Sequence, residues 1–448
     1  TRPSAAATAI RSRSCSISAA AGIGAGADSV AADRRALGIL FLTQTYPRRA
    51  HDSAGPFIRD LARALVRGGD RVRVLAPHAT GLPPSWSEAG VEVHTFRYAP
   101  ERWELLGYGR SLHADERMAG AAAAVAPLYL LGAGRAVRGA LAGGGWDLVQ
   151  AHWVVPNLLA AAFCSRRVPL LVGLHGSDVF MAEKGPVRPF VRRALRRVDG
   201  LTSCSPELAA RVQKIGFPAE RSHVIPYGVD SDLFAPDPER RALWRQRLGI
   251  PPDAPMLLGV GRMATKKGFH LLLEALPALF ATAPEAHLVL AGGGDRLEEF
   301  RLAAAAFGDR VHFPGAVLHD TLPDLYRAAD LFVLPAVHDA KGNVDGLPNV
   351  ILEAMASGLP VVGSRVSGLP TAIAEGVNGW LVEEGSVADL ARILREALAD
   401  RPRRERFGVA ARGRARHEFS WDSVAARYRA AYVAAGEHHR SQAAAEAL

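Results

Sequence analysis

The apolar residues of this chain recur in short runs, and amphipathic stretches follow most of them. Residues 38–43, GILFLT, form a run of the size expected for a strand buried on both faces. Residues 56–67 place apolar side chains at every fourth position and predict a helix that begins near Pro56 and ends at a glycine pair. The side chains expected to face away from the core are Arg59, Asp60, Arg63 and Arg67. A second apolar run at 71–76 completes a predicted parallel βαβ unit.

The same alternation continues along the chain. Further strands are predicted at 91–94, 147–152, 169–173, 200–203, 223–226, 256–260, 287–291, 311–313, 330–334, 360–363 and 379–382. Helices are predicted at 269–280, 322–329 and 349–356, and another is expected to be capped by Ser386 with Asp389 three positions on. Strands that alternate with helices indicate parallel sheets covered by helices.

A proline-bearing irregular stretch at 226–236 divides this pattern into two sets, which predicts two sequential α/β domains. The expected division is an extension at 1–35, a first domain at 36–230, a second domain at 231–415, and a C-terminal helix and tail at 416–448. Open parallel sheets bind ligands at the carboxyl ends of their strands. We therefore expect the two sheets to face a central ligand-binding cleft.

Residues 1–35 lie outside the pattern, because they are rich in Ala, Ser and Arg and contain no acidic residue before Asp28. This composition is typical of a transit peptide or an upstream extension, so organelle targeting stays open. The longest uncharged run, 118–134, contains Pro127 and is shorter than the ~20 residues that span a bilayer. It predicts a pair of buried helices. The chain is therefore expected to be cytoplasmic.

Cysteine and histidine spacing gives no indication of a metal site or a disulfide framework. The three cysteines, Cys15, Cys164 and Cys204, lie far apart with no C-x-x-C pair. The 15 histidines include no H-E-x-x-H or similar spacing. We expect no metal, no cofactor and a reducing compartment.

The net charge of +9 is concentrated in the first half of the chain, where residues 1–230 contain 29 Lys and Arg against 18 Asp and Glu. A basic helix is predicted in this half, and its cations are Lys184, Arg188, Arg192, Arg193, Arg196 and Arg197. Contact with an anionic membrane surface and an ordinary solvated helix are both consistent with it. Nucleic-acid binding is disfavoured, because no base-stacking aromatic cluster accompanies the arginines.

The sequence GVGRMATKKG at 259–268 places Arg262 and Lys267 five positions apart, directly after a predicted strand. Cations at such a strand end suit a diphosphate, whose charge grows as a leaving group departs. Gly261 is expected to line the same site. Lys266 lacks the five-residue spacing and is expected to serve as an internal control for Lys267.

The sequence DGLPNVILE at 345–353 places Asp345 in a loop and Glu353 one turn inside a helix that begins near Pro348. The free N–H groups of a helix start attract phosphate, so we expect Leu347, Pro348 and Asn349 to bind a phosphate-bearing ligand there. An acidic residue in the position of Glu353 reaches ribose hydroxyls in other α/β sites. A capping carboxylate and a surface glutamate are the structural alternative.

Taken in order, these motifs resemble the retaining glycosyltransferases of family four, the group-one glycosyl transferases of GT-B fold. The segments that carry the resemblance are Arg262 to Lys267-Gly, 287–294, 311–315, 328–335 and Asp345 to Glu353, with 44–47 and 174–178 in the first half. The likeness covers about residues 38–435. It implies two Rossmann-like domains, with a nucleotide-diphosphate sugar held mainly by the second.

The resemblance also implies residue roles. Arg262 and Lys267 match the family's diphosphate ligands, Glu353 its ribose ligand, and Asp345 its donor-sugar carboxylate, here one methylene shorter than the usual Glu. Gly55 matches the glycine of the first-domain loop, and His175 matches the histidine at the reacting side of the donor sugar.

The implied reaction is transfer to a polysaccharide, lipid-linked or small-molecule acceptor in cell-envelope glycan synthesis, by front-face displacement with retention. The leaving phosphate helps to take the acceptor proton, and cations replace a metal ion. A nucleotide-sugar epimerase of the same layout is the alternative. An NAD-dependent oxidoreductase is disfavoured, since no G-x-G-x-x-G follows the first strand.

Overall fold

The computed structural model describes residues 35–48, 52, 55–108, 116–162, 167–183 and 187–446. The predicted extension at 1–35 lies outside the described residues except for Arg35, and Lys184 of the predicted basic helix also lies outside them. None of the helices in these ranges is both long enough and apolar enough to cross a membrane.

The first domain is built on an eight-stranded sheet with strand order β3-β4-β2-β1-β5-β6-β7-β8. Its strands are β1 (Gly38–Leu42), β2 (Arg71–Pro77), β3 (Ser85–Glu88), β4 (Val91–Phe96), β5 (Leu148–His152), β6 (Leu170–Leu174), β7 (Gly200–Ser203) and β8 (Ser222–Val224). Its helices are α1 (Pro56–Arg67), α2 (Glu116–Ala142), α3 (Leu159–Ala162), α4 (Ser177–Glu183), α5 (Arg188–Leu195) and α6 (Pro206–Lys214). The apolar runs β1, β5 and β6 are wholly buried, as expected for central parallel strands.

The second domain is built on a six-stranded parallel sheet with strand order β11-β10-β9-β12-β13-β14. Its strands are β9 (Met256–Val260), β10 (His287–Ala291), β11 (Val311–Gly315), β12 (Leu331–Leu334), β13 (Val361–Ser364) and β14 (Gly379–Val382). Its helices are α7 (Arg241–Leu248), α8 (Phe269–Phe280), α9 (Leu297–Ala304), α10 (Leu322–Ala328), α11 (Asn349–Ala356), α12 (Leu369–Ala372), α13 (Val387–Ala399) and α14 (Arg401–Glu418). The Ser386 side chain accepts from the Asp389 N–H, as predicted.

The last helix, α15 (Trp421–Glu446), returns to the first domain. Its residues Trp421, Tyr428 and Tyr432 share one buried apolar cluster with Ile39 and Phe41 of β1. The chain thus passes between the domains twice, and the two passages run side by side where Val229 pairs with Ser420.

Three expectations for the first domain need correction. Strand β3, which was not predicted, pairs antiparallel with β4 at the sheet edge. The pair of helices predicted around Pro127 is wrong, because α2 continues through the proline as one helix. Its fully buried Tyr129, Ala133 and Val137 lie four residues apart and pack into the core, so the helix continues despite the missing N–H.

The outward position predicted for Arg59 is also wrong, since this residue is only 9% exposed. The buried stripe of α1 is wider than the four-residue repeat indicated, and it includes Ile58 and Ala62. Arg59 belongs to this buried stripe of α1, and its Nε lies 3.1 Å from the Asp60 carboxylate.

Candidate active site

The loop after β9 carries the predicted cations. A single 3-10 turn at Thr265–Lys267 ends at Gly268, whose φ is +71°. A Cβ at this position would lie 1.7 Å from the Pro335 carbonyl oxygen, so only glycine allows the loop to approach the end of β12 so closely. This approach brings the lysines next to the loop that precedes α11.

Asp345 joins the two loops by pairing with two consecutive lysines. Lys266 Nζ lies 2.5 Å from Oδ1 of Asp345, and Lys267 Nζ lies 2.7 Å from Oδ2. Burial would raise the pKa of Asp345, but the charges of Lys267 and Lys266 outweigh it and hold that pKa well below its usual range. The three side chains carry a net charge of about +1. Lys266, which was expected to serve as a control for Lys267, is part of the same cluster.

Helix α11 begins directly beside this cluster. Pro348 is its N-cap, and no side chain caps the free N–H groups of its first turn. Leu347 is buried, and the side-chain oxygen of Asn349 is buried with no hydrogen-bond partner in the described part of the chain. An uncapped helix start next to two lysines is suited to bind phosphate.

Glu353 lies one turn inside α11, with Oε2 accepting a 2.8 Å hydrogen bond from the Tyr326 hydroxyl. Burial raises its pKa to about 7, although Tyr326 and the charge of Lys267 act in the opposite direction. The carboxyl group therefore titrates near neutral pH.

Arg262 does not join this cluster. Its side chain is 62% exposed, and its guanidinium lies 3.4 Å from the Asp295 carboxylate. The neighbouring Gly261 lies over Lys267, since a Cβ there would be 3.2 Å from Lys267 Cε. The five-residue spacing thus places Lys267 at the cluster and leaves Arg262 at the rim.

On the first-domain side, Gly55 is the N-cap of α1 and has a φ of +71°. A Cβ there would lie 2.9 Å from the Thr45 side chain. The glycine therefore lets the start of α1 close onto the loop after β1. Ser53 and Ala54, which precede Gly55 in this first-domain loop, lie outside the described residues.

His175 follows β6, and the protein occupies both of its ring nitrogens. Nδ1 lies 2.8 Å from the Tyr227 hydroxyl, and Nε2 lies 3.1 Å from Nδ1 of His152. Its ring is nearly parallel to that of Tyr227 and contacts those of Phe57 and Trp153. Burial lowers the pKa of His175 to about 3, so the ring is neutral.

The loop that carries His175 is fixed by buried Asp178. Its carboxylate accepts hydrogen bonds from the backbone N–H groups of Val154, His175 and Gly176. Sequence reasoning missed His152 and Tyr227, although the first ends a predicted strand and the second lies in the predicted interdomain stretch.

The two domains meet at the Asp345 loop. A Cβ on Gly346 would lie 2.4 Å from Cys204 Sγ in the first domain, and the Ser367 hydroxyl bridges Ser205 and the Gly346 carbonyl. Burial raises the pKa of the Cys204 thiol to about 12, so it stays protonated. Within the described ranges, no group of three or more His, Cys, Asp or Glu residues is arranged to hold a metal ion.

The sequence matches the family of glycosyl transferases group 1 over residues 240–414 and the glycosyl transferase 4-like domain over 54–228. The chain belongs to glycosyltransferase family four, whose two domains form the GT-B fold. It is a glycosyltransferase that uses a nucleotide sugar, as predicted. The epimerase alternative is set aside by this membership.

Two curated relatives illustrate the range of the family. The chain is 33% identical over 289 residues to a GDP-mannose-dependent alpha-(1-6)-phosphatidylinositol monomannoside mannosyltransferase of Mycolicibacterium smegmatis. The matched region covers 63% of this chain and 74% of the relative. It is also 33% identical over 322 residues to a D-inositol 3-phosphate glycosyltransferase of Streptomyces avermitilis, covering 66% and 67%.

Among solved structures, sucrose-phosphate synthase from Thermosynechococcus elongatus has the same fold, with a TM-score of 0.68 and 22% identity over 91% of this chain and 100% of that one. WaaG, a glycosyltransferase involved in lipopolysaccharide biosynthesis, gives a TM-score of 0.59 at 22% identity, covering 88% and 99%. These likenesses show the two-domain architecture.

Proposed function

We propose that this enzyme transfers a hexosyl group from a nucleotide-diphosphate sugar with retention of configuration and without a metal ion or other cofactor. The observation that carries this proposal is the convergence of Lys266 and Lys267 on Asp345 at the uncapped start of α11. Lys267 and the N–H groups around Leu347–Asn349 bind the diphosphate. Arg262 swings in from the rim, Glu353 binds the ribose, and Asp345 contacts the donor sugar.

Electrostatics supports this assignment. A donor diphosphate brings negative charge to a cluster of about +1, and Arg262 adds one more positive charge. The lysines lose Asp345 as their partner when the diphosphate takes its place, and the freed carboxylate can turn to the sugar hydroxyls. Cations and helix N–H groups that face a leaving diphosphate supply the stabilisation that a divalent ion supplies elsewhere.

Retention by front-face displacement is supported by the state of the two carboxyl groups. A double-displacement mechanism needs an ionised carboxylate free to attack the anomeric carbon. In this proposal Asp345 turns to the sugar hydroxyls once the diphosphate takes the lysines, and Glu353 is bonded to Tyr326 with a pKa near neutrality, so neither carboxyl group is assigned to the anomeric carbon. The leaving phosphate oxygen is therefore the group proposed to help to take the acceptor proton. In this proposal the buried, neutral imidazole of His175 lines the reacting side of the donor sugar, and Gly55 lines it as well.

The test uses a single donor and two readouts. We expect transfer, or slow donor hydrolysis, to continue in excess chelator, and the product anomer read by NMR to match the donor. Loss of activity in chelator that magnesium or manganese restores would contradict the metal-free mechanism. An inverted anomer would contradict front-face displacement.

We further propose that the acceptor is a glycan or a lipid-linked glycan of the cell envelope, and that the enzyme works at the cytoplasmic membrane surface. The carrying observation is a cavity of about 540 Å³ between α2 and α5, lined by apolar groups such as Leu130, Pro156 and Leu159. Phe190 and Leu131 at its edge are 61% and 51% exposed. A mannosyltransferase among the relatives bears phosphatidylinositol monomannoside in its name.

The charges around this cavity suit an anionic lipid surface. Arg138 lines the cavity, and α5 exposes Arg188, Arg192 and Arg193. Among the described residues, none of these four arginines has an ion-pair partner. Exposed apolar side chains surrounded by such cations favour insertion at the headgroup level of anionic bilayers.

Vesicle sedimentation tests this contact. The wild type should bind phosphatidylglycerol vesicles more strongly than phosphatidylcholine vesicles, and Phe190→Asp or Arg193→Glu should weaken that binding. Val409→Asp and Arg416→Glu on α14 change exposed positions of the second domain and serve as controls. Equal effects of both pairs, or equal binding to a DNA duplex, would indicate a nonspecific cationic surface.

A further inference from the structure

His338 is placed between carboxylates of the two domains. Its Nδ1 lies 2.9 Å from Oε1 of Glu384, which follows β14 in the second domain. Its Nε2 lies 3.3 Å from Oε1 of Glu207, which belongs to α6 in the first domain. One imidazole ring therefore connects the domains through two acidic partners.

The protonation state of this ring decides whether both contacts are favourable. A neutral imidazole has one N–H, so it can donate to only one of two carboxylates, and its other nitrogen presents a lone pair to the second. The imidazolium donates at both nitrogens. Burial lowers the pKa of His338, but the hydrogen bonds to Glu384 and Glu207 outweigh this and raise it above its ordinary value.

The interdomain hydrogen bond is the longer of the two and is the one that responds to loss of the proton. Glu207 also accepts from Arg211 at 3.0 Å, and Glu384 accepts from the His338 backbone N–H at 2.7 Å. Both carboxylates thus keep a partner when the ring loses its proton. Asp339 is held by backbone N–H groups and Asn343, and the positive charge of Lys266 also acts on it. The 2.9 Å hydrogen bond to Glu384 is shorter than the 3.3 Å contact with Glu207, so the single N–H of the neutral ring stays on Nδ1. Deprotonation of the ring therefore breaks the hydrogen bond that His338 donates to Glu207.

This hydrogen bond bears on the donor site because His338 belongs to the loop that leads to Asp345. The backbone N–H of Val337 donates to the Lys266 carbonyl at 3.0 Å, and Asp339 and Asn343 close the loop upon itself. Tying this loop to α6 holds the Asp345 cluster against the first domain.

We propose that protonated His338 is a positioning residue that joins the loop before Asp345 to the first domain through Glu207, so that donor capture is stronger in mild acid and weaker in mild base. This inference rests on the proposed donor site. It adds a residue pair and a direction of pH dependence to that site.

The experiment measures the Michaelis constant for the donor from pH 5.5 to 8.5 in the wild type, His338→Gln, Glu207→Gln and the exposed-histidine control His417→Gln. The quantity compared is the variant constant divided by the wild-type constant at each pH, because Glu353 titrates in the same range and this ratio cancels its effect. For His338→Gln and Glu207→Gln we expect the ratio to be about fivefold at the acid end and to approach one at the alkaline end. The control should stay near one throughout.

Small-angle scattering of the ligand-free enzyme gives a readout that needs no turnover. The wild-type radius of gyration should rise through the same pH range, while that of His338→Gln should not change. A ratio that is independent of pH, or an identical pH response in His338→Gln and the wild type, would overturn the inference. Failure of the proposed donor site would give a different result. Lys267→Ala would then turn over normally, while the pH dependence of the His338→Gln ratio would still follow the expectation above.

Discussion

The Lys267 ammonium lies 2.7 Å from the Asp345 carboxylate across two loops of the second domain. The lysine side chain is only 11% exposed, so this counter-ion stabilises a cation that burial would otherwise disfavour. An incoming diphosphate can replace it with more negative charge. The resting site is thus prepared for an anion while its lysine remains paired.

Replacing Lys267 with Ala should reduce turnover by about a hundredfold, because loss of one charge-assisted contact to a developing charge costs ~3 kcal/mol. The donor Michaelis constant should change much less, since the contact strengthens in the transition state. Steady-state kinetics checks this. Lys214→Ala, an exposed lysine on α6, is the control.

Replacing Lys266 with Ala should also reduce turnover, although less than the Lys267 change, because Lys266 shares Asp345 but is more exposed. Equal and small effects at both lysines would show that this loop is an ordinary basic turn. The Lys266 variant therefore tests the cluster, whereas Lys214 tests general charge loss.

Replacing Asp345 with Asn should separate nucleotide binding from transfer. Removing the negative charge leaves two lysines unpaired, so free nucleoside diphosphate should bind about fivefold more tightly or better. The ligand-free variant should be less stable, by about 1–3 kcal/mol, and nucleotide should restore the loss. Transfer should fall if Asp345 contacts the sugar. Calorimetry measures the nucleotide affinity, and thermal unfolding measures the stability. Weaker nucleotide binding by the variant would contradict the proposed replacement of Asp345 by the diphosphate.

Replacing Glu353 with Gln should weaken the binding of the intact donor and of free nucleotide alike, because the proposed partner is the ribose. The pKa of Glu353 is raised to about 7, so the free enzyme holds its proton in mild acid. Ribose hydroxyls that donate to the carboxylate should lower this pKa. Nucleotide binding at pH 6 should therefore release a proton.

Calorimetry of Glu353→Gln in buffers of different ionisation enthalpy checks this release, which should vanish in the variant. A folded pKa above the unfolded value of 4.5 also means that this group costs stability as pH rises from about 4.5 to 7. The Gln variant should therefore lose less stability over that range. Normal nucleotide affinity in the variant would make Glu353 a structural residue.

The pattern of apolar runs was sufficient to predict every strand of the two sheets except β3, because strands buried on both faces appear as uninterrupted apolar segments. Helices α8 and α11 begin and end at the predicted residues. Strand β3, with the sequence SWSE, has too few apolar residues for this signal, since it lies at the sheet edge. Pro127 indicated a break that tertiary packing of α2 overrides.

Spacing predicted which loops form the candidate site but not which side chains meet there. Lys266 lies in the cluster and Arg262 lies at its rim, whereas the spacing predicted the reverse. The turn that ends at Gly268 directs both lysines toward Asp345. His152, Tyr227 and His338 are distant in sequence from the residues they contact. No local pattern relates them, since their contacts arise from how the sheets and domains pack.

The return of α15 to the first sheet affects how the protein folds during its synthesis on the ribosome. Trp421, Tyr428 and Tyr432 complete the apolar cluster around β1, yet they are synthesised after the whole second domain. The first domain therefore keeps an apolar face that α15 has not yet covered until about two hundred further residues have been synthesised. Cutting the chain before α15 would remove residues remote in sequence from β1, and the damage would appear in the domain that was made first.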